Sequence, residues 1–186
     1  PGGAAICGAM LWYPDETIQH AGIVTGLGGY AGHSHKYKKK GGSGYLFRTS
    51  TVQDFSGVTG ACLLVKTAVY DEMHGLDEQF AVAFNDVDFC LRVRDAGYRI
   101  AWTPYAELVH YESKSRGGDE KDPVKAARFA AEQQRLYTIH GKENILDDPY
   151  YNPNLTRDRE DFSESDDLRR LKEGRVTVRF RGGTLQ

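Results

Sequence analysis

Two aspartates one residue apart, in the stretch FNDVDFCLR of residues 84–92, have the spacing in this chain that most directly suggests chemistry. Asn85 and Asp86 are both of the residue types that cap the first turn of a helix. Asp86 and Asp88 also form an Asp-x-Asp pair, and two such carboxylates can share a hard divalent cation that binds a diphosphate. A carboxylate in this position can instead accept a proton from a hydroxyl group. The residues alone leave these three interpretations open.

A second group of polar side chains follows the apolar residues of ELVHYESKSRG, residues 107–117. His110 is either a histidine with structural hydrogen bonds or a metal ligand. Lys114 and Arg116 share a glycine-terminated loop with two serines, an arrangement that suits a phosphate. The common nucleophile, phosphate-loop and zinc-protease motifs are absent from the sequence, and GLGGYAG at residues 26–32 lacks the strand–helix frame of a dinucleotide site.

Composition predicts an ordinary globular domain. The 186 residues are 40% hydrophobic and 27% charged with a net charge of −2, so nothing global indicates binding to nucleic acid or to an acidic membrane surface. The basic run KYKKK at residues 36–40 is interpreted as a flexible, solvated loop. Three widely spaced cysteines without a CxxC pair predict buried, reduced thiols in a cytosolic protein. Apolar runs are too short for a membrane span.

Apolar patterning places these motifs on an α/β framework. The predicted strands cover residues 4–13, 23–24, 58–65 (a central strand), 99–102, 107–111 and 175–180. A long mobile loop without helical periodicity is expected up to about Gly44. His20, His33 and His35 could bind a metal, but a mobile glycine-rich loop would give them no fixed geometry. The predicted helices are a short one capped by Thr67, one over about 87–96 that ends at Gly97, and one from Pro123 to Tyr137. A polar tail after Pro149 is expected to be pinned by Tyr150, Tyr151 and Leu155.

Taken in order, these motifs resemble the C-terminal half of a family 2 glycosyltransferase, the inverting, GT-A-fold kind that builds bacterial surface polysaccharides. The stretches that carry the resemblance are LWYPD, IQHAG, VTGACLLV, GLDEQF, FNDVDFCLR, AGYR, PYAELVHYES and DPYYNPNL, and together they cover nearly the whole chain. The resemblance implies a mixed-sheet, acceptor-side part of a GT-A domain over residues 1–146. An irregular polar extension, residues 147–186, would pack on it.

The resemblance also implies a role for each carboxylate. Asp86 would be the catalytic base that deprotonates the acceptor hydroxyl, which then attacks the anomeric carbon of a nucleotide sugar. The helix N-terminus would help to keep Asp86 ionised. Asp88 would orient the site, with Arg92 as its partner at the i+4 position. Asn85 stands where the family more often has glutamate, and this departure places the base on Asp86.

Further site residues follow from the same resemblance. His110 would complete the ligand shell of a Mg²⁺ or Mn²⁺ ion in the full-length enzyme. Lys114 and Arg116 would contact the diphosphate, where charge develops on the leaving group. The segments 57–60 and 76–80 would shape the acceptor site. The substrate-binding residues implied in this way, besides the two cations, are Gly57, Val58, Thr59, Gly60, Asp77, Asn85 and Asp88.

The expected function is transfer of a sugar, with inversion, from a nucleoside-diphosphate sugar to a glycan or lipid-linked acceptor. The expected location is the cytoplasm, peripherally at the inner face of the membrane. Because the nucleotide-binding half is missing from this sequence, we expect a fragment that is inactive alone and whose exposed sheet edge favours a homodimer. Two alternatives remain: a non-catalytic carbohydrate-binding or assembly module, and a phosphate-binding domain in which Asp86, Asp88 and His110 share a metal.

Overall fold

A computed structural model describes residues 3–111 and 122–166, together with the backbone of residues 179–180 and 183–184. In these parts the strands are β1 (Ile6–Trp12), β2 (Ile18–His20), β3 (Ile23–Thr25), β4 (Ala31–His33), β5 (Gln53–Asp54), β6 (Leu63–Val65), β7 (Ile100–Val109), β8 (Arg179–Phe180) and β9 (Gly183–Thr184). The α-helices are α1 (Thr67–Glu72), α2 (Asn85–Asp95), α3 (Pro123–His140) and α4 (Lys142–Leu146). This alternation of strands and helices is the predicted α/β class.

The main sheet is mixed, and β1 forms its centre. One edge of β1 pairs with β7 in parallel along its whole length, while the other edge pairs antiparallel with β6 at residues 6–8 and with β2 at residues 11–12. The short β5 adds antiparallel to the far edge of β7. Since β1 is covered on both faces, its sequence is a nearly continuous apolar run rather than an alternating one.

The predicted pair of strands around Pro104 is in fact one bulged strand. In β7 the partner of Ala9 is Thr103 and the partner of Met10 is Glu107, so three residues of β7 are left out of the ladder. Proline has no N–H for the ladder, and a bulge accommodates it without ending the strand. Beyond the bulge, the His110 N–H donates to the carbonyl of Trp12 at 2.9 Å, which fixes the start of the following loop.

The predicted central strand over residues 58–65 is wrong. Within this stretch only Leu63–Val65 is a strand. It pairs antiparallel with residues 6–8, the first half of β1, on the edge of β1 opposite β7. Residues 57–62 leave the sheet: the Gly57 carbonyl accepts from the Ile23 N–H at 2.8 Å, and a Cβ on Gly57 would lie 3.2 Å from the Cβ of Cys90. The β-favouring composition of this stretch therefore serves close packing against α2. Thr67 is the first residue of α1, and Lys66 occupies the cap position without a side-chain bond.

The long loop predicted after Ile23 contains ordered structure. Strands β3 and β4 form a hairpin, in which Ile23 faces His33. The basic run is also hydrogen-bonded through its backbone: the Tyr37 N–H donates to the Ile18 carbonyl at 2.8 Å, and the Lys40 N–H donates to that of Glu16 at 3.1 Å. These residues continue the sheet margin beside β2, so the run is not merely a flexible loop.

The helix predicted at Pro123 is confirmed. The Asp122 side chain accepts from the Val124 N–H at 2.9 Å, with proline in the first turn, and α3 continues three residues past the predicted end. Its buried Leu136 packs in a cluster with residues of β3, α2 and α4.

The polar tail is pinned at buried points, as predicted. Asp148 is 0% exposed and accepts from the Thr25 N–H at 2.7 Å, while Tyr151 and Leu155 belong to the main core cluster. Tyr150 is only half-buried. Of the predicted strand 175–180, residues 175–178 lie outside the described residues, and β8 forms a hairpin with β9.

Two further expectations concern the thiols and the membrane. Cys90 is buried, but Cys7 and Cys62 are half-buried, so the prediction of three buried thiols is wrong for two of them. Burial raises the pKa of the Cys90 thiol to about 12. None of the helices in the described part of the chain combines the length and the apolar character needed to cross a membrane.

Candidate active site

Asp86 lies in the first turn of α2, with both carboxylate oxygens fixed. Phe84 precedes the helix in a left-handed conformation, φ +63°. One Asp86 oxygen, Oδ2, accepts from the Gly60 N–H at 2.8 Å, and Oδ1 accepts from the N–H of Val87 at 2.8 Å. The side chain remains partly exposed. Asp86 is therefore a positioned carboxylate that solvent and a ligand can reach.

Gly60 reaches Asp86 because the turn before β6 runs close to the start of α2. A Cβ on Gly60 would lie 3.5 Å from the Asp86 Cβ, which is ordinary contact, so the backbone approach leaves little spare room. Val58, in the same turn, is 0% exposed and anchors it in the core. The Thr59 N–H points at Nε2 of His20, at 3.4 Å. The four residues 57–60 thus form one wall beside the carboxylate.

His20 contacts this wall from the protein interior. It is fully buried, and its Nε2 also accepts from the Gly22 N–H at 3.3 Å, so the proton lies on Nδ1 and is donated to Nδ1 of His33 at 2.9 Å. Burial lowers the pKa of His20 well below its usual range, and His33 adds to the effect. The imidazole is therefore a neutral structural group. The expectation that these histidines have no fixed geometry was wrong.

Asp88 faces the protein interior, in contrast to Asp86. It is 1% exposed, and its Oδ2 accepts from Nε of Arg92 at 2.9 Å, which is the predicted i+4 pair. Its other oxygen lies 2.8 Å from Nε2 of His140. Arg92 also donates to the carbonyls of Met73 and Gly75, at 2.6 and 2.9 Å. These contacts join α2 to the end of α1 and to α3, which fits the orienting role that the resemblance implies for Asp88.

The segment leading into Asp86 is held by a residue that sequence reasoning missed, Glu132 of α3. This side chain is 5% exposed, and its two oxygens accept from the Val82 and Ala83 N–H groups at 3.3 and 2.7 Å. Arg128 supplies a cation 3.9 Å away. A buried carboxylate that binds two backbone N–H groups fixes the chain immediately before α2. The only signal in the sequence was a charged residue one turn before the buried Leu136.

Two more residues of α3 contact the site, and sequence reasoning missed both. Arg135 donates to Oδ2 of Asp77 at 2.6 Å, and this bond holds the pKa of Asp77 below its usual value. His140 contacts Asp88. Asp77 is half-buried in the loop after α1, where its Oδ1 accepts from the Gln79 N–H. One helix thus supports the three segments that carry Asp77, Asp86 and Asp88.

His110 provides a single imidazole at the end of β7. Its Nδ1 lies 2.9 Å from Oε1 and 2.7 Å from Nε2 of Gln19, and the ring is partly exposed. With Nδ1–H donated to Oε1, the Nε2 lone pair is available to an ion. Lys114 and Arg116 lie outside the described residues. Among the residues that are described, no three His, Cys, Asp or Glu side chains form a group that could hold a metal, so Asp86, Asp88 and His110 do not form a shared site.

Comparison with known proteins adds relatives but no family assignment. The chain is 48% identical over 161 residues to the uncharacterized protein y4gI of Sinorhizobium fredii (strain NBRC 101917 / NGR234). The aligned residues are 86% of this chain and 18% of that protein. It is 34% identical over 150 residues to the O-antigen biosynthesis protein RfbC of Myxococcus xanthus, 80% of this chain and 11% of the relative.

A third relative is an N-acetylglucosaminyl-diphospho-decaprenol L-rhamnosyltransferase of Mycobacterium tuberculosis, 32% identical over 80 residues, which is 43% of this chain and 24% of that enzyme. The chain thus spans less than a quarter of the length of the curated relatives named here. No family model matches it, and no solved structure does. The names of two relatives suggest a glycosyltransferase family, and the mixed α/β sheet is compatible with a glycosyltransferase fold.

Proposed function

We propose that this chain is the acceptor-side part of an inverting GT-A glycosyltransferase of family 2, with Asp86 as the catalytic base. The observation that carries the proposal is the Asp86 carboxylate itself, which is partly exposed and held by the N–H groups of Gly60 and Val87. Two relatives named for O-antigen biosynthesis and for rhamnosyl transfer support the reaction class. The product would be a surface polysaccharide or its lipid-linked precursor, made on the cytoplasmic side of the membrane.

The chemistry at Asp86 is a proton transfer coupled to displacement. The acceptor hydroxyl gives its proton to an Asp86 oxygen, and the hydroxyl oxygen forms a bond to the anomeric carbon of the donor sugar. The bond from that carbon to the diphosphate breaks at the opposite face, the nucleoside diphosphate leaves with the electron pair, and the anomeric configuration inverts. General-base assistance of this kind is typically worth about 10²–10⁴-fold in rate. The Gly60 N–H, 2.8 Å from Oδ2, holds the carboxylate in place for this step.

The remaining site residues surround this centre in the proposal. Residues 57–60 and the loop that carries Asp77 border the acceptor, with Asn85 beside the base. Lys114 and Arg116 contact the donor diphosphate. His110 would supply one ligand to a Mg²⁺ or Mn²⁺ ion in the full-length enzyme, and such an ion would neutralise charge on the diphosphate. Residues 1–146 would then need the nucleotide-binding half for activity.

The test is Asp86→Asn in a protein that contains both this chain and a nucleotide-binding half. Asparagine keeps the shape of aspartate and one of its two acceptor oxygens, but it accepts no proton. Nucleoside-diphosphate release is measured with and without acceptor, and donor affinity is measured by calorimetry. We expect transfer to fall at least 100-fold with donor affinity unchanged.

The matched control is Asp95→Asn, an exposed aspartate at the other end of α2. It should keep full activity, because in the described part of the chain its carboxylate pairs with the neighbouring Arg94, away from the base. Transfer retained by Asp86→Asn would refute the assignment of the base. A wild-type protein that binds glycans but transfers nothing would instead be the non-catalytic module.

A further inference from the structure

A cleft of about 460 Å³ lies outside the candidate active site, between the segment that contains β4 and the tail. Its walls combine aromatic rings with charged groups of both signs. The lining includes Tyr30, Lys36, Tyr37, Asp158, Arg159 and Glu160. The volume falls in the range of small-molecule sites, which is roughly 300–1,000 Å³.

The aromatic wall offers a fixed and accessible ring. Tyr37 is 65% exposed, yet Tyr13 stacks on it with ring centroids 5.5 Å apart and planes 9° apart. Tyr30 is held edge-to-face by Phe84 and Phe129, with centroids 5.4 and 5.5 Å away. Exposed rings that are already packed at one side lose little entropy on binding. They suit a flat ligand that has an apolar face, as the C–H face of a pyranose has.

The charged groups favour a neutral hydroxylated ligand over a phosphate. Among the described residues that line the cleft, the carboxylates of Asp158, Glu160 and Asp161 outnumber the cations of Lys36 and Arg159, and Glu160 also accepts from the His33 N–H at 3.0 Å. Arg159 is already occupied by Asp161 and by the Ser163 hydroxyl, at 3.5 and 2.8 Å. This excess of carboxylate opposes an anion.

Two charged groups of the cleft stay available for hydrogen bonds to a ligand. Within the described part of the chain, neither the Lys36 ammonium nor the Asp158 carboxylate forms an ion pair, and the Lys36 Nζ lies over the Tyr37 ring, 5.2 Å from its centroid. Hydroxyl groups both donate and accept, so a sugar can bond to the ammonium through its oxygen and to the carboxylate through its proton.

Tyr30 connects the wall of the cleft to the segment that leads into Asp86. Tyr30 lines the cleft and packs on Phe84, which lies two residues before Asp86. Because two residues span at most about 7 Å, the ring that Tyr30 contacts belongs to the segment that positions the base. We propose that this cleft binds a neutral sugar unit of the acceptor glycan. That this sugar belongs to the acceptor rests on the proposed function. Binding of the sugar to the cleft can be tested without any transfer.

The test is titration of the isotopically labelled 186-residue chain with neutral trisaccharides, followed by ¹H–¹⁵N NMR. The sugars are the fully N-acetylated chitotriose, maltotriose and a rhamnose trisaccharide. We expect at least one of them to shift the amides of Lys36, Tyr37 and Asp158 with a millimolar dissociation constant. The variant Tyr37→Asn removes the ring and suits the left-handed backbone there, φ +64°. It should weaken binding about tenfold, and Asp158→Asn should weaken it severalfold.

The matched control is Tyr105→Asn, which removes a tyrosine of β7 that is 79% exposed and does not line the cleft. It should bind like the wild type, and the dispersion of each spectrum reports whether the variant is folded. Absence of shifts at about 50 mM sugar, or binding that survives Tyr37→Asn, would overturn the proposal. So would displacement of the sugar from the cleft by UDP. None of these results affects the role of Asp86, which fails only if Asp86→Asn retains transfer.

Discussion

Replacing Arg92 by alanine should strongly destabilise the fold, because this guanidinium joins three elements behind the candidate site. It bonds to the buried Asp88 carboxylate at 2.9 Å and to the carbonyls of Met73 and Gly75 at 2.6 and 2.9 Å. Alanine would leave Asp88 buried with His140 as its remaining side-chain partner. It would also leave two carbonyl groups to find water.

The magnitude follows from the burial of the two partners. Removal of one member of a buried ion pair costs about 3–5 kcal/mol. The Arg92 side chain is 26% exposed while that of Asp88 is 1% exposed, so solvent screens part of the interaction and the lower end of the range applies. We expect a loss of about 3 kcal/mol. With a urea slope of about 2 kcal/mol/M for a chain of this size, the midpoint should fall by roughly 1.5 M.

The assay is urea unfolding at pH 7 followed by circular dichroism. The matched control is Arg94→Ala, because Arg94 bonds only to the Ser56 hydroxyl and to the exposed Asp95 within the described residues, and it should cost about 1 kcal/mol. A double-mutant cycle of Arg92→Ala with Asp88→Asn should give a coupling energy of at least about 1.5 kcal/mol. A loss below about 1 kcal/mol for Arg92→Ala, or a coupling near zero, would refute the reasoning.

Three further predictions concern the wall beside the base, the buried histidines and the tail. Gly60→Ala should keep transfer activity in the longer protein, whereas Gly60→Pro, which removes the N–H bonded to Asp86, should lower kcat by roughly 10–100-fold; equal kinetics for the two variants would count against this bond. Burial lowers the pKa of His35 to about 3, so the unfolded chain binds the extra proton below pH 6.5. The contribution of His35 to stability should therefore fall by up to about 1.4 kcal/mol per pH unit as pH drops from 6.5 towards 3. Urea unfolding at a series of pH values should show that the free energy of unfolding depends less steeply on pH in His35→Gln than in the wild type. An equal dependence in the two proteins would contradict the lowered pKa of His35. Asp148→Ala should cost about 3 kcal/mol in the same assay because the Thr25 N–H loses its buried acceptor, and a loss under about 1 kcal/mol would show that the tail is held elsewhere.

The elements that could be predicted from the sequence are those with local signals. The apolar run of β1 ends at Pro14, and Asp122-Pro123 marks the start of α3 by its cap and its proline. The i+4 pair of Asp88 with Arg92 is also local, since helix geometry alone brings the two side chains together.

The parts that were missed depend on contacts between distant residues. The bonds from α3 to Ala83, Asp77 and Asp88 join residues 49, 58 and 52 positions apart, and periodicity carries no information on which loop a helix will face. The stretch 58–65 was misassigned because β propensity reports a fit to a buried surface and not pairing with a neighbour. The bulge in β7 depends on its register with β1, which Pro104 alone does not determine.

The central claim is that two aspartates one residue apart do different work, Asp86 in the reaction and Asp88 in the fold. The most direct measurement compares Asp86→Asn with Asp88→Asn in the longer protein for transfer rate, and in this chain for free energy of unfolding. We expect Asp86→Asn to lose transfer at least 100-fold. It should cost only about 1 kcal/mol of stability, because asparagine keeps an acceptor oxygen for one of the two N–H groups and the other N–H can reach water at this partly exposed site. Asp88→Asn should lose about 2–4 kcal/mol of stability through its broken pair with Arg92. A stable, fully active Asp86→Asn protein would contradict the claim, and so would an Asp88→Asn protein as stable as the wild type.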